Sequence, residues 1–298
     1  MLVADRSTGA QGSGARLRQV REQQGLSLRA LAQQLEVSPA TLSAAETGLR
    51  EMPAARLERA ARLLGVATDE LLRPAHGIRR DAAVGDPPDW RTFPPLELDA
   101  PLSAALAAFL ELGYHGATMR DIARRADLSV PGVYHHYASK QQMLVAILDV
   151  TMADLRSRSQ AARAQGEGSV QRFALLVECL ALFHTHRREL GFVGASEMRS
   201  LLPPDRERVA AVRRAQQRMV DDEVEQACDE GTFAVTHPRE ASRAVVTMCT
   251  ALPQWFDGRG PDSPEQVAQQ YVEFALDLMR CSAKGRRQAG RRPGRPSS

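Results

Sequence analysis

Lysine is nearly missing from this 298-residue chain. Only Lys140 and Lys284 occur, so arginine supplies almost all of the 39 basic residues. That bias reflects coding composition as much as chemistry, and it identifies no partner. Cysteine is sparse too. Cys179, Cys228, Cys249 and Cys281 lie far apart with no CxxC pair, which excludes a zinc knuckle or a disulfide framework and points to a reducing cytoplasm. No stretch approaches the ~18 apolar residues of a membrane span, so no membrane association is expected. The opening MLVADRSTGAQGSG has no apolar centre and does not read as a secretion signal. HExxH, GxSxG and a phosphate-cradling glycine loop are missing. His184 and His186 stand two residues apart and share no helical face. Neither catalysis nor a metal or other cofactor is expected.

What remains is helix. Alternating β-patterns are few and no βαβ rhythm appears, so the fold class is all-α. Residues 1–14 are polar and read as a loose arm. Residues 15–72 carry apolar positions at helical spacing (Leu17, Val20, Leu31, Leu35, Leu42, Leu57, Leu64, Leu71). Residues 73–97 hold five prolines and two glycines and read as a linker. Helical patterning resumes near Pro101 and runs to Met279. The tail, residues 281–298, is basic and expected to be disordered.

The strongest signal is one motif occurring twice. SLRALAQQLEVSPATLSAAE begins at Ser27, and TMRDIARRADLSVPGVYHHY begins at Thr118. Each opens with a hydroxyl residue suited to a helix N-cap. Each continues with an apolar residue and an alanine, Leu31–Ala32 and Ile122–Ala123, whose small side chain lets a second helix cross closely. A second capping serine follows, Ser38 or Ser129, and then a core residue, Leu42 or Val133. This is helix–turn–helix spacing. The turn residue between the helices favours positive φ, where glycine is easiest. Here it is Glu36 in one copy and Asp127 in the other, and aspartate tolerates that region better.

The first copy, with RLRQVREQQGLSLRALAQQLEVSPATLSAAETGLR and LERAARLLGVATDELL around it, resembles the Cro/C1-type (XRE) helix–turn–helix family over residues 15–72, which implies a five-helix DNA-binding domain there. The second, within ALAAFLELGYHGATMRDIARRADLSVPGVYHHYASKQQML, resembles the TetR/AcrR regulator family. That likeness implies a three-helix DNA-binding domain over 98–144 and a helical ligand-binding and dimerisation domain over 145–280. In such motifs the second helix enters the major groove. The resemblance therefore implies double-stranded DNA with a palindromic operator as the partner. Thr118, Met119, Ser129, Val130, Pro131, Gly132, Tyr134, His135, His136 and Lys140 are the candidate contacts, with Tyr134 and Lys140 as phosphate clamps. In the first copy the candidates are Ser27, Arg29, Ser38, Ala40, Thr41, Ser43 and Arg50. Its second helix offers no long polar reader, so it is expected to add affinity with little base readout. The alternative is that this module binds protein.

The segment Val170–Phe192 is apolar on more than one face and reads as a single buried helix or a cavity wall. Another apolar helix is expected over Ala244–Phe256, and a last one opens on Ser263-Pro264-Glu265. The TetR resemblance makes the final two helices a homodimer interface, with Leu276 on the shared face. It also implies an effector pocket. Phe173, Phe183, His184, Phe192, Met198, Arg199, Met248, Trp255 and Phe256 are its candidates. The run HTHRRELGFVGASEMRSLLPPDRERV resembles TetR-type regulators of lipid or steroid breakdown that sense acyl-CoA thioesters. Arg187, Arg188 and Arg199 would then meet phosphate. The function expected is a ligand-responsive repressor of a lipid, steroid or other small-molecule catabolic operon, released by a small apolar or acyl-CoA ligand.

Overall fold

The computed structural model describes residues 14, 17–18, 20–21, 26–46, 52–66, 68, 71 and 89–290. Among them every regular element is helical, and the chain divides into two compact units, residues 1–80 and 81–298. No described helix is long and apolar enough to cross a membrane.

In the first unit α1 (Leu28–Gln34), α2 (Pro39–Glu46) and α3 (Ala54–Leu63) close over one small core. All eight apolar positions singled out by periodicity are buried in it. The buried Arg21 guanidinium makes a two-pronged bond to Glu46, at 2.7 and 2.9 Å, and also donates to the Leu26 carbonyl. This pair ties the end of α2 to the start of the unit. Removing either partner would strand a buried charge.

The second unit begins with α4 (Ala100–Gly116), α5 (Met119–Arg125) and α6 (Val130–His136), then the long α7 (Lys140–Ala164). Asp99 caps α4 through the Leu102 amide, and the Tyr137 hydroxyl donates to its other carboxylate oxygen at 2.7 Å. Gly113 adopts φ +68° and kinks α4, the positive φ that glycine alone takes without strain. α8 (Ser169–His186) is buried almost all round and forms the centre of the second core. The expected continuous helix to Phe192 is broken. Arg187 leaves helical geometry, and α9 (Arg188–Ser196) departs in a new direction. Gly191 lets α9 pack closely on Pro253, since a Cβ there would stand 2.9 Å from that ring. α10 (Pro203–Asp229), α11 (Pro238–Thr250), α12 (Leu252–Trp255) and α13 (Pro264–Leu278) complete the unit. The apolar run expected to form one helix to Phe256 is thus two, split at Ala251. Ser263 caps α13 in a reciprocal box with Gln266, and Pro264 stands at its first turn, as the sequence predicts.

Two boundaries differ from expectation. The linker does not extend to residue 97, because residues 89–98 form a strap bolted onto the second unit. Trp90 is buried and its indole donates to Gln165 at 2.9 Å. Arg91 forks onto Glu178 at 2.6 and 2.9 Å. Arg158 donates to the Trp90 and Thr92 carbonyls, and Arg187 to that of Pro94. Phe93 stacks on His186 at 4.5 Å. The prolines make this segment read as a linker, but Trp90 and Phe93 anchor it. The tail differs as well. Ser282 caps α14 (Ala283–Ala289), Arg286 pairs with Asp277, and Ala289 packs against the second core. Residues 73–88 and 291–298, like most of 1–14, lie outside the described residues.

Candidate nucleic-acid interface

The two motif copies fold alike to the level of single hydrogen bonds. Ser27 and Thr118 cap the first helices, Ser38 and Ser129 the second. The turn closes with Val37 N–H donating to Ala32 O at 3.0 Å in one copy. In the other, Leu128 N–H donates to Ala123 O at 2.9 Å. Glu36 and Asp127 take φ +56° and +54°. A non-glycine residue there bears local strain, which the surrounding core over-determines. Arg59 holds the Glu36 carboxylate at 2.6 Å, and that partner lowers its pKa.

The outer surface of α6 is chemically open. Pro131, Tyr134, His135 and His136 are exposed, and Val130 and Gly132 are half-exposed. Ser129 Oγ accepts from the Gly132 amide, which leaves its own proton for an acceptor outside. Thr118 is less free. Its hydroxyl donates to Asp121 at 2.6 Å, closing a capping box that lowers the Asp121 pKa. That carboxylate competes with any phosphate at the helix start. Met119 is half-buried against the core and serves packing. Arg120, exposed on the first turn of α5, escaped the sequence reading because the motif logic favoured hydroxyls at that end.

Lys140 is not the free phosphate clamp that the sequence suggested. Its ammonium donates to the carbonyls of Tyr114 and Ala117 at 2.5 and 2.6 Å, with His115 O at 3.5 Å, and lies 4.5 Å over the Tyr114 ring. Desolvation lowers its pKa. Those carbonyls are the orphan acceptors at the end of α4, so Lys140 acts as a helix C-cap joining α4 to α7.

In the first unit, Arg29 and Ala40 are exposed, and Thr41, Ser43 and Ala44 are half-buried. Ser38 and Thr41 hydroxyls bond to each other at 2.7 Å. Arg50 lies outside the described residues.

The expected effector residues do not converge. Phe173, Phe183 and Phe256 are interior packing. Met248 lies partly buried against that same core, and Met198 against the core around α4–α7. Phe192 and Trp255 face solvent, as does Arg199. Arg187 is spent on Asp154 and the strap, and Arg188 donates to Pro253 O. His184 is a core histidine. It is buried, Nδ1 lies 2.8 Å from Leu180 O, and desolvation lowers its pKa to about 4. Its folded pKa lies below the unfolded value near 6.5, so its neutral form contributes stability above that value. The contribution is lost as pH falls toward 4. The expected loss is about 3 kcal/mol across that window. Denaturant unfolding at pH 7 and pH 4.5 should show it, and His184→Leu should flatten the pH dependence by about one proton. An equal slope in the variant would refute the assignment.

A capped two-helix motif with an open second helix, set on a helical body, defines a helix–turn–helix transcription regulator. Residues 102–147 match the bacterial regulatory proteins of the tetR family, and residues 166–279 match a tetracyclin repressor-like C-terminal domain. Together they span more than half of the chain, which belongs to the TetR family. Residues 14–75 match a separate helix-turn-helix domain. The HTH-type transcriptional repressor KstR2 of Mycolicibacterium smegmatis is 26% identical over 192 residues, covering 63% of this chain and 93% of that protein. A tetR-family regulatory protein from Rhodococcus RHA1 superposes with a TM-score of 0.58 at 28% identity, over 61% of this chain and 96% of its own. The ketosteroid transcriptional regulator KstR2 of Mycobacterium tuberculosis gives 0.56 at 25%, over 59% and 91%. AibR, solved with isovaleryl coenzyme A and operator DNA, shares the fold at a TM-score of 0.56 and 21% identity, over 61% and 98%. The matched domains are those of regulators, and the chain is no enzyme.

Proposed function

We propose that this chain is a homodimeric repressor released from a palindromic operator by a small ligand, an acyl-CoA thioester or related lipid or steroid derivative. The observation that carries the DNA half of this reading is the exposed face of α6, where Pro131, Tyr134, His135 and His136 stand clear of the core. A helix of this size fits the major groove, and small residues at its start suit thymine methyls. Phosphate contact falls to Tyr134, Arg120 and the capped start of α7 rather than to the Lys140 ammonium. The effector half is supported by kinship with KstR2, a repressor, and by AibR having been solved with isovaleryl coenzyme A. The ligand biases the spacing of the two α6 helices through its different affinity for the two states.

Footprinting upstream of the gene, followed by gel shifts over a salt series, tests this. Tyr134→Phe should weaken binding about fivefold on all operator variants, the value of one lost hydrogen bond. Lys140→Ala should lower stability yet leave the salt slope unchanged, whereas a phosphate-contacting lysine would reduce it by about one. No protected site, or wild-type affinity in Tyr134→Phe, would overturn the assignment.

The N-terminal unit is read as a Cro/C1-type module that adds DNA affinity. A second reading, as a protein-interaction module, is favoured by a groove of about 440 Å³ on α2, between Val37, Thr41, Leu42, Ala45, Met52 and Arg56. Deleting residues 1–80 separates the two. A shorter footprint with weaker binding supports the first, and an unchanged footprint supports the second.

A further inference from the structure

A cleft of about 520 Å³ in the second unit is lined by none of the residues that sequence reasoning chose for an effector. It lies where the end of α7 and the start of α8 meet the middle of α10. Its polar lining is Arg156, Gln160, Arg163, Arg172 and Gln216, and its apolar lining includes Ala164, Ala215 and Met219. Its size lies within the range of small-molecule sites.

Two features mark it as more than a surface groove. The first is a buried acceptor with nothing to accept. Gln216 is 7% exposed, its Nε2 donates to Ser159 Oγ at 2.7 Å, and its Oε1 has no partner among the described residues. A buried carbonyl oxygen left alone costs about 1–3 kcal/mol, so a donor is wanted there. The second is a fixed pair of cations. Glu223, fully buried, accepts from Arg163 Nε at 2.6 Å and from Arg172 Nε at 2.7 Å. Arg172 Nη2 is held by Gln226, and Arg163 Nη2 lies 3.6 Å from Asp222. Each guanidinium is thereby oriented, and each keeps Nη1 unpartnered among the described residues. Arg156, at the rim, has no acidic partner among them. Three arginines against Glu223 and Asp222 leave the cleft positive.

We infer that this cleft binds a small anionic molecule that also carries an N–H or O–H donor, its acidic group on Arg156 and the Arg163–Arg172 pair, its donor on Gln216 Oε1. Guanidiniums held in advance lose little freedom on binding, which is why such pairs suit phosphate and carboxylate. Ala164, Ala215 and Met219 take an apolar portion. A coenzyme A thioester has this chemistry, in its phosphates and the amides of its pantetheine arm, and a free phosphate has only part of it. The assignment deepens the effector reading by giving it a location, and it rests on that reading only for its link to DNA release.

The test is calorimetric titration of the full chain with isovaleryl coenzyme A, coenzyme A and inorganic phosphate. Binding of a coenzyme A species is expected, at least tenfold weaker in Arg156→Ala and in Gln216→Leu and unchanged in Arg218→Ala, an exposed α10 position outside the cleft. Arg156 is exposed, so its variant should fold normally. Phosphate binding as tightly as coenzyme A would overturn the required donor. No binding by any of the three, or affinities unmoved by both cleft variants, would overturn the site. Operator release is followed in parallel. Release of wild type and of Arg156→Ala at the same ligand concentration rejects the cleft and keeps the effector reading. Cleft-dependent binding with no release keeps the cleft and rejects the effector reading.

Discussion

Phe274→Arg is expected to give monomers and, with them, loss of operator binding. Phe274 is 53% exposed on α13, beside Leu278 at 44% and Trp255 at 57% on α12. Trp255 stacks near Tyr271 at 6.5 Å, and Tyr271 meets Phe274 at 6.1 Å, so the buried Tyr271 ring links the two exposed ones. Aromatic anchors at the centre of an interface typically contribute 2 kcal/mol or more, and an arginine there would also have to be buried unpaired. Dimer affinity should fall at least ~30-fold by sedimentation. Operator affinity should fall in parallel, since a palindrome needs two linked recognition helices. Leu276, the position that the family resemblance suggested for the shared face, is the wrong probe. It is 5% exposed within its own subunit's core, and arginine there would unfold the chain rather than divide a dimer. An intact dimer in Phe274→Arg would reject this face.

Trp90→Ala should destabilise the second unit by about 3–5 kcal/mol, the usual cost of emptying a large aromatic site. The indole is 1% exposed within the core around α8, and its N–H is matched by Gln165. Arg91→Ala should cost less, because that pair remains partly solvated and such pairs are weak. Urea unfolding measures both. A loss below 1 kcal/mol for Trp90→Ala would mean that the strap merely rests on the surface.

The motif was legible in the sequence because its chemistry is local. Caps at Ser27, Ser38, Thr118 and Ser129, crossings at Ala32 and Ala123, and positive φ at Glu36 and Asp127 each follow from a few neighbouring residues. What stayed hidden depends on distant partners. The fate of Lys140 is decided by carbonyls more than twenty residues away. That Arg187 is consumed follows from Pro94, which reads as linker until Trp90 and Phe93 are seen to anchor it. The candidate effector residues scattered because aromatic side chains at helical spacing fill a core as readily as they line a cavity. The cleft was missed because its signal lies in arginines and glutamines that look like any solvated helix face. Only the orphaned Gln216 oxygen and the Glu223 bridge distinguish them.

The strap also decides where this protein can be cut. Similarity to the tetR family begins at residue 102, and a shortened chain started there would look complete by that measure. It would lack Trp90 and Phe93, and the slot they fill would open onto water, uncovering part of the apolar surface around α8 and one face of His186. Arg158, Glu178 and Arg187 would lose partners at the same edge. An exposed apolar slot ringed by loosened charges is a starting point for self-association. An expression fragment meant to stand alone should therefore begin no later than Asp89. One begun at residue 102 should yield aggregates rather than a clean DNA-binding core.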